Sequence, residues 1–532
     1  MTRRVAIVGA GIVGTTLAYH LVQAGHRVDI FENGPDIPYP HAPQFANEVL
    51  YANRFAAPAQ AIPEPLPSGV KGLTQSGDYP GKIDDERSMC VGGQATRWWG
   101  ITPRLLPESF RPKTLHGYGD DWPITYGELE PYYCQAEHYL GISGSGDDNP
   151  FGPPRSQPYP LPPFALSHTD MELAAKLSAC GLRVHTTPQA RTRHAYGGRP
   201  ACQNVGKCAT CPVGARYSPN HHLALAMRTG LLTLHTNAVA RRIVLKGNRV
   251  RALVYHPDHG AVAKECVADV VIVAAGAIES ARLLLLSSAS GIHRNGLGND
   301  SGQVGRNLGF HHVWRGHMDF KQVVMAGRAG PPTMLSHQFI EPAGPRAYGG
   351  VSVELFDYFS DAHIESLARR HWRSGAQMVE ALRPALHCRS ITFNAETQPG
   401  PGKYAALSKK STDRFGDPFM HVHYELDAFD HETYHVSSRL AERFALALEA
   451  DSVELDPVSN YWSAHHHLGT CRMGSSPRDS VVDSFGAVHS TPGVYVCGGS
   501  TFVTATALQP TLTMVAMAIR SARHVSEMLR TS

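Results

Sequence analysis

The 532-residue sequence predicts an α/β fold that carries a second domain of α+β type. Three stretches support the prediction. An apolar, β-rich run, Val5-Ala6-Ile7-Val8, feeds a glycine turn and then TTLAYHLVQAGH, whose Leu17 and Leu21 are spaced for a helix. ADVVIVAAGAIESARLLLLSS repeats the order of strand, glycine (Gly276) and helix, and its strand is apolar throughout, as central parallel strands are. Between about 310 and 455, YGGVSVELF and HVHYEL read as strands and HVSSRLAERFALALEA as a helix, which makes the candidate second domain.

The first turn is Gly9-x-Gly11-x-x-Gly14. Gly9 gives the tight bend, Gly11 lets backbone approach a pyrophosphate at the helix N-terminus, and Gly14 allows helix and strand to pack closely. RVDIFE then ends at Glu32, about 20 residues on, where a carboxylate is placed to bind an adenosine ribose. Strand, turn, helix and acidic end together read as a Rossmann-like dinucleotide site, without deciding between FAD and NAD.

Residues 35 to 85 are rich in proline and glycine and read as a long excursion from that domain. VGGQATRWWGITPR follows, and residues 145 to 165 are again loop-like. LHTNAVARRIVLKGNRVRALVYH alternates as a hairpin turning near Gly247-Asn248. The last segment, GVYVCGGSTFVTATALQPTLTMVAMAIRSARHV, reads as a strand, a Gly498-Gly499 turn, a loop and a long helix starting near Pro510-Thr511, with proline at a tolerated early position.

Composition narrows the function classes. Lys and Arg number 49 against 46 Asp and Glu, with no basic block that would track phosphates, so nucleic acid is not an expected partner. No apolar run approaches the roughly 20 residues of a membrane helix, so no membrane insertion is expected. MTRRVAIVGAG enters a strand by Val5 and leaves no room for a secretory signal. The ten cysteines do not form the dense framework of a small secreted domain. A cytoplasmic location is expected, with periplasmic export on a partner's signal as the alternative.

Seven ordered blocks resemble the glucose-methanol-choline (GMC) family of FAD-dependent oxidoreductases: VAIVGAGIVG, VGGQATRWWG, DWPITYGELEPYY, IVAAGAIESARLLLLSS, VGRNLGFHH, HHLGTCRMG and QPTLT. They span nearly the whole chain. Within the family, GGQATRWWGITPR and GVYVCGGSTFVTATALQPTLT are most similar to the pyranose oxidase and sugar dehydrogenase branch. The resemblance implies a discontinuous FAD-binding domain (1–35, 86–110, 200–309 and 456–532), an arm (36–85) and a substrate-binding domain with a mostly antiparallel sheet (111–199 and 310–455). It implies FAD-site residues Gly92, Gly93, Arg97, Val239, Gly276, Gly499, Pro510 and Thr511 beside Gly9, Gly11, Gly14 and Glu32. The implied chemistry is oxidation of a ring hydroxyl of a sugar or glycoside to a ketone or lactone: hydride passes to flavin and the hydroxyl proton to a base. Oxygen, a quinone or a cytochrome subunit are the acceptors that follow from it.

The sequence SAHHHLGTCRMG sets three histidines side by side, His465, His466 and His467. In an extended segment neighbouring side chains face opposite ways, so all three cannot serve one ligand. A metal tract would want further acidic or thiolate ligands, and only Cys471 is near. The family's H-x-x-G-T register, counted from Gly469-Thr470, selects His466 as the base. Its second polar position, Asn or His in the family, is Gln509 here. The extra methylene requires the substrate hydroxyl to sit farther back or the loop to shift, unless Gln509 only caps the helix. At Arg97, similar pyranose oxidases carry a histidine that bonds covalently to flavin. Arginine cannot form that link, so FAD is expected to be non-covalent, with Arg97 either holding phosphate or flavin oxygens or lying on Trp98.

ACQNVGKCATCPVGARY spaces Cys202, Cys208 and Cys211 with a proline after the last. The segment resembles the three-iron (3Fe-4S) cluster loop of sugar dehydrogenases, with the last two cysteines one residue closer together. A zinc site borrowing His194 and unligated thiols are the other readings. Rival functions within the same family are oxidation of a non-sugar alcohol, a non-redox FAD-containing lyase, and a flavin-binding subunit without turnover.

Overall fold

The structure, a computed structural model, describes residues 3–37, 39, 72–203, 208, 211–288, 293–324, 332–341, 344–356 and 375–531. Most of the 36–85 excursion therefore lies outside the described residues.

A five-stranded parallel sheet forms from strands far apart in the chain, in the order Val494–Val496, Val270–Val273, Arg4–Val8, Arg27–Phe31 and Leu232–His235. Its apolar strands are buried on both faces because period-two alternation sends neighbours to different cores. Val5 and Ile7 join Leu17 and Leu21 of helix Ile12–Gln23 and Ala518, Ala522 and Val525 of helix Thr511–Thr531. Ala6 and Val8 join Ile278 and Leu283 of helix Gly276–Leu286 and Ile243 and Leu253 of the hairpin Val239–Lys246/Arg249–His256. Leu232–His235, read from sequence as the start of that hairpin, instead pairs with Arg27–Phe31 and forms the edge of the parallel sheet. The hairpin proper starts at Val239 and turns at Gly247, whose φ of 65° is left-handed.

The second sheet has six antiparallel strands, ordered Ser452–Leu455, His312–Asp319, Cys388–Ala395, Val351–Phe356, Met334–Phe339 and His185–Thr186. Val351, Val353, Leu355, Ile391 and Phe393 pack on Leu440, Phe444 and Leu448 of helix Ala428–Leu448, and on Leu173 and Leu177 of helix His168–Ala179. A capping box between Asp427 and Asp430 starts the longer helix. The residues that alternate with the apolar set are polar: Ser352 faces Asn394 across the ladder, and Glu354 faces Thr392. The described end of the excursion, Thr74–Gly77, adds a parallel strand to Pro418–Tyr424. Among the described residues no helix is long and apolar enough to cross a membrane.

Candidate active site

One cleft runs along the carboxyl ends of the parallel strands, where open α/β sheets bind ligands. Its walls include Gly9, Gly11 and Glu32 at the first turn, and Gly93, Val239 and Gly276 beyond it. His466, Gly499 and Pro510 stand at the far end. Nine of the sequence-selected residues therefore line a single cleft.

The glycines divide by role. Gly9 has φ +100°, and a Cβ there would stand 2.5 Å from the Ala274 carbonyl oxygen. A Cβ on Gly14 would stand 1.9 Å from the Gly9 oxygen, so this glycine sets helix against turn and does not line the cleft. Gly11 is the N-cap of helix Ile12–Gln23, and a Cβ there would meet nothing within 4 Å. The helix N-terminus thus opens on free space, as backbone approach to a pyrophosphate requires. Glu32 accepts from the main-chain N–H of Ala10 and of Gly34, each at 2.9 Å. Burial nevertheless pushes its carboxyl up to about 7. An orienting carboxylate, an open helix start and a glycine-lined wall fit a flavin adenine dinucleotide.

The Gly92-Gly93 turn is docked on this site: Gly92 N–H donates to Ala10 O at 2.9 Å, and a Cβ on Gly93 would stand 3.1 Å from Gly11 Cα. Gly92, at φ +94°, shapes the turn without lining the cleft. Arg97 does not line the cleft either. It donates to Ser88 Oγ at 3.0 and 2.7 Å, which fixes a wall residue. Thr511 is buried as the first residue of the last helix, behind Pro510. Sequence reasoning missed Arg87, which reaches Glu279 at 2.6 Å on the cleft wall, and Gln94, which meets His465 Nδ1 at 2.8 Å.

The three histidines are separated by a turn and not by strand alternation. Ala464 and His465 have φ of 52° and 61°, so the segment is not extended. Ser463, buried, donates to Glu86, and His466 N–H closes the turn on Ser463 O at 3.0 Å. His467 Nε2 meets Glu86 Oε2 at 3.0 Å, and His465 Nδ1 lies 3.0 Å from Glu86 O. Both outer rings thus turn towards Glu86, another missed residue. Tyr79 also donates to its carboxylate. Burial pushes the Glu86 carboxyl up, but His467, Ser463 and Tyr79 outweigh that and hold it below the usual range. The middle ring goes elsewhere: His466 Nδ1 lies 3.0 Å from His311 Nδ1. Burial, then the neighbouring His311, His465 and His467, hold His466 well below the ordinary imidazole range. That favours the neutral ring, the form that accepts a proton.

Gln509 departs from expectation. It neither lines the cleft nor caps the helix: the longer side chain carries its Nε2 to a hydrogen bond with Glu354 Oε1, and its own Oε1 is buried without a partner. Burial pushes the Glu354 carboxyl up to about 7 against the pull of Gln509 and Asn394.

Cys208 and Cys211 are buried and Cys202 half-buried, but His194 is exposed. Among the described residues no group of three or more His, Cys, Asp or Glu side chains is arranged to hold a metal ion. Cys208 Sγ instead accepts from Arg191 Nη1 at 3.6 Å, and Cys211 Sγ from Arg216 N–H at 3.4 Å. Among the described residues the three thiols are not gathered as an iron–sulfur ligand set.

Residues 170–313 and 401–518 match the GMC oxidoreductase family, and residues 4–82 the FAD dependent oxidoreductase family. The chain belongs to the GMC oxidoreductases. It is accordingly an FAD-dependent oxidoreductase of CH–OH groups. It is 28% identical to the fructose dehydrogenase large subunit of Gluconobacter japonicus, over 97% of this chain and 96% of that one. It is also 28% identical to the paromamine 6'-oxidase of Streptomyces fradiae, over 98% and 91%. Among solved structures, pyridoxine 4-oxidase from Mesorbium loti superposes with a TM-score of 0.66 at 19% identity, over 99% of both chains, a likeness of fold.

Proposed function

We propose that this GMC oxidoreductase oxidises a ring hydroxyl of a sugar or glycoside, with His466 as the base. The observation that carries the reading is the separation of the histidine tract: all three histidines line the cleft, but two rings are committed to Glu86, while the His466 ring, among the described residues, is bonded through Nδ1 alone. Its Nε2, without a partner among the described residues, is the atom available to take the hydroxyl proton. Bound FAD supplies the acceptor for the hydride that leaves carbon. The sugar class is supported by the likeness to a fructose dehydrogenase large subunit and a paromamine 6'-oxidase.

Anaerobic flavin reduction across pyranoses, glycosides, diols and simple alcohols tests this reading. We expect bleaching by at least one sugar or glycoside, and a 10²- to 10⁴-fold slower reduction in His466→Ala, the range typical of a positioned acid–base group. His465→Ala and His467→Ala should stay within about tenfold, a barrier change near 1.4 kcal/mol. Bleaching by simple alcohols alone would overturn the substrate class, and a normal rate in His466→Ala the base.

Admitting oxygen, a quinone or cytochrome c to the reduced enzyme separates oxidase from dehydrogenase. The ten cysteines, which do not form the dense framework of a small secreted domain, support a reducing, cytoplasmic compartment. The iron–sulfur reading of Cys202, Cys208 and Cys211 keeps its spacing and its likeness to dehydrogenase loops as support. Stoichiometric iron and sulfide in anaerobically purified enzyme, lost in Cys208→Ser, would reinstate it.

A further inference from the structure

His466 hands its Nδ1 to a second imidazole, and that contact constrains where its hydrogens sit. His311 belongs to a segment held from two sides. Gly309 exchanges main-chain hydrogen bonds with Leu468 at 3.0 and 2.9 Å, and a Cβ on Gly309 would stand 3.1 Å from Ala505 Cβ. The ring of His311 is fully buried and stands edge-on to that of His466, with centroids 4.9 Å apart and planes at 82°. The Nδ1 atoms are 3.0 Å apart.

Two neutral imidazoles this close share one hydrogen, which leaves two arrangements. If His311 Nδ1 donates, the remaining hydrogen of His466 is on Nε2, which then faces the alcohol as a donor and cannot accept its proton. If His466 Nδ1 donates, His466 Nε2 carries a bare lone pair, and His311 holds its own hydrogen on Nε2. Only the second arrangement performs the proposed reaction.

The surroundings also decide where positive charge goes once the proton arrives. His465 and His467 are turned to Glu86, so the ring that meets His466 directly is His311 and not a carboxylate. Burial, then the neighbouring His312, push His311 down to about 3 against the opposing pull of the Thr506 main chain, and burial likewise lowers His466, so the charge passed to His311 belongs to the reacting state and not to a resting cation.

We propose that His311 is a positioning residue that keeps His466 in the Nδ1–H tautomer and accepts that hydrogen as His466 Nε2 takes the alcohol proton. The inference rests on His466 being the base. In the step, the alcohol O–H breaks and an Nε2–H forms on His466, while the His466 Nδ1 hydrogen passes to His311 Nδ1. The carbon-bound hydrogen leaves with its electron pair to bound FAD, the carbonyl forms, and the positive charge ends on His311. Two protons move for each hydride.

The experiment is a proton inventory of anaerobic flavin reduction, in mixtures of light and heavy water, on the holoenzyme and on His311→Asn and His311→Phe, with FAD content measured for each. The wild type should give a bowed inventory, as two moving protons require. Asparagine places its Oδ1 where His311 Nδ1 stood and accepts the same hydrogen, but it cannot be protonated. His311→Asn should therefore reduce flavin within about tenfold of wild type, with a linear inventory. Phenylalanine fills the ring space and accepts nothing, so His311→Phe should be slowed about 10²-fold or more. If His311→Phe fails to bind FAD, the asparagine inventory decides alone. A linear wild-type inventory, a bowed one in His311→Asn, or a wild-type rate in FAD-replete His311→Phe would each overturn the relay. If His466→Ala is crippled while any of these is found, the relay falls and the base stands. If His466→Ala reduces flavin normally, both fall.

Discussion

Glu354 and Glu86 are both buried carboxyls, and their neighbours give them opposite titration behaviour. Glu86 meets His467, Ser463 and Tyr79, so its folded value lies below its unfolded one. Its contribution is present above an unfolded value near 4.5 and is lost as pH falls through the folded value. Glu354 meets only amide donors, and burial raises it from 4.5 to about 7. A raised group stabilises the fold below its unfolded value and loses that contribution as pH rises towards the folded one. Wild type should therefore lose stability relative to Glu354→Gln between about pH 4.5 and 7, by on the order of 3 kcal/mol for a shift of this size. Unfolding midpoints of the two proteins at pH 5 and pH 8 check it. The variant should gain on wild type at the higher pH, and a difference that does not change with pH would remove the assignment. Neither carboxyl was legible in the sequence: Gln509 reaches Glu354, and Ser463 and His467 reach Glu86, from more than 150 positions away.

The glycine turn, by contrast, was legible because every part of it is local. Gly9 follows the strand, Gly11 is the N-cap of the helix it feeds, and Gly14 lies in that helix's first turn. The structure separates two of them sharply. Gly14→Ala forces a Cβ against the Gly9 carbonyl at 1.9 Å, which must move the helix off the strand. Gly11→Ala meets no protein atom within 4 Å and fills only the space left for ligand. Gly14→Ala should lower the unfolding midpoint of the flavin-free protein, by about 1–3 kcal/mol of stability as overpacked sites do. Gly11→Ala should leave that midpoint near wild type and weaken FAD binding at least tenfold. Melting curves of apoprotein and flavin titrations check the pair, and the opposite pattern would mean that the two glycines exchange roles. The histidine tract shows where local reading stopped. The H-x-x-G-T register picked His466, but strand alternation was the wrong reason for setting it apart. Left-handed Ala464 and His465 make a turn, held from outside by Glu86 and Gln94, and no spacing within the tract encodes those contacts.

The assembled molecule joins what the chain keeps apart. The parallel sheet takes its outer strands from Leu232–His235 and Val494–Val496, and the cleft along it takes walls from residues near 10, 90, 240, 276, 466 and 510. Ordered family blocks pointed to this discontinuity, whereas periodicity gave only the separate strands. The pairing of Thr74–Gly77 with Pro418–Tyr424 had no signal in either. Because so many distant segments share the cleft, a ligand bound there stabilises all of them together. FAD that binds only the folded chain should raise stability by RT ln(1 + [L]/Kd), about 2.7 kcal/mol at a hundredfold excess over Kd. That linkage is reversible only if no bond joins flavin to protein. The family resemblance implies that Arg97 stands where a flavin-linking histidine would, and its guanidinium donates to Ser88. Acid precipitation should therefore leave yellow FAD in the supernatant. The flavin-free protein should melt at a lower temperature and recover in proportion to the logarithm of added FAD. Flavin retained in the acid pellet would show a covalent link through some other side chain, and a melting point indifferent to FAD would place the cofactor outside this cleft.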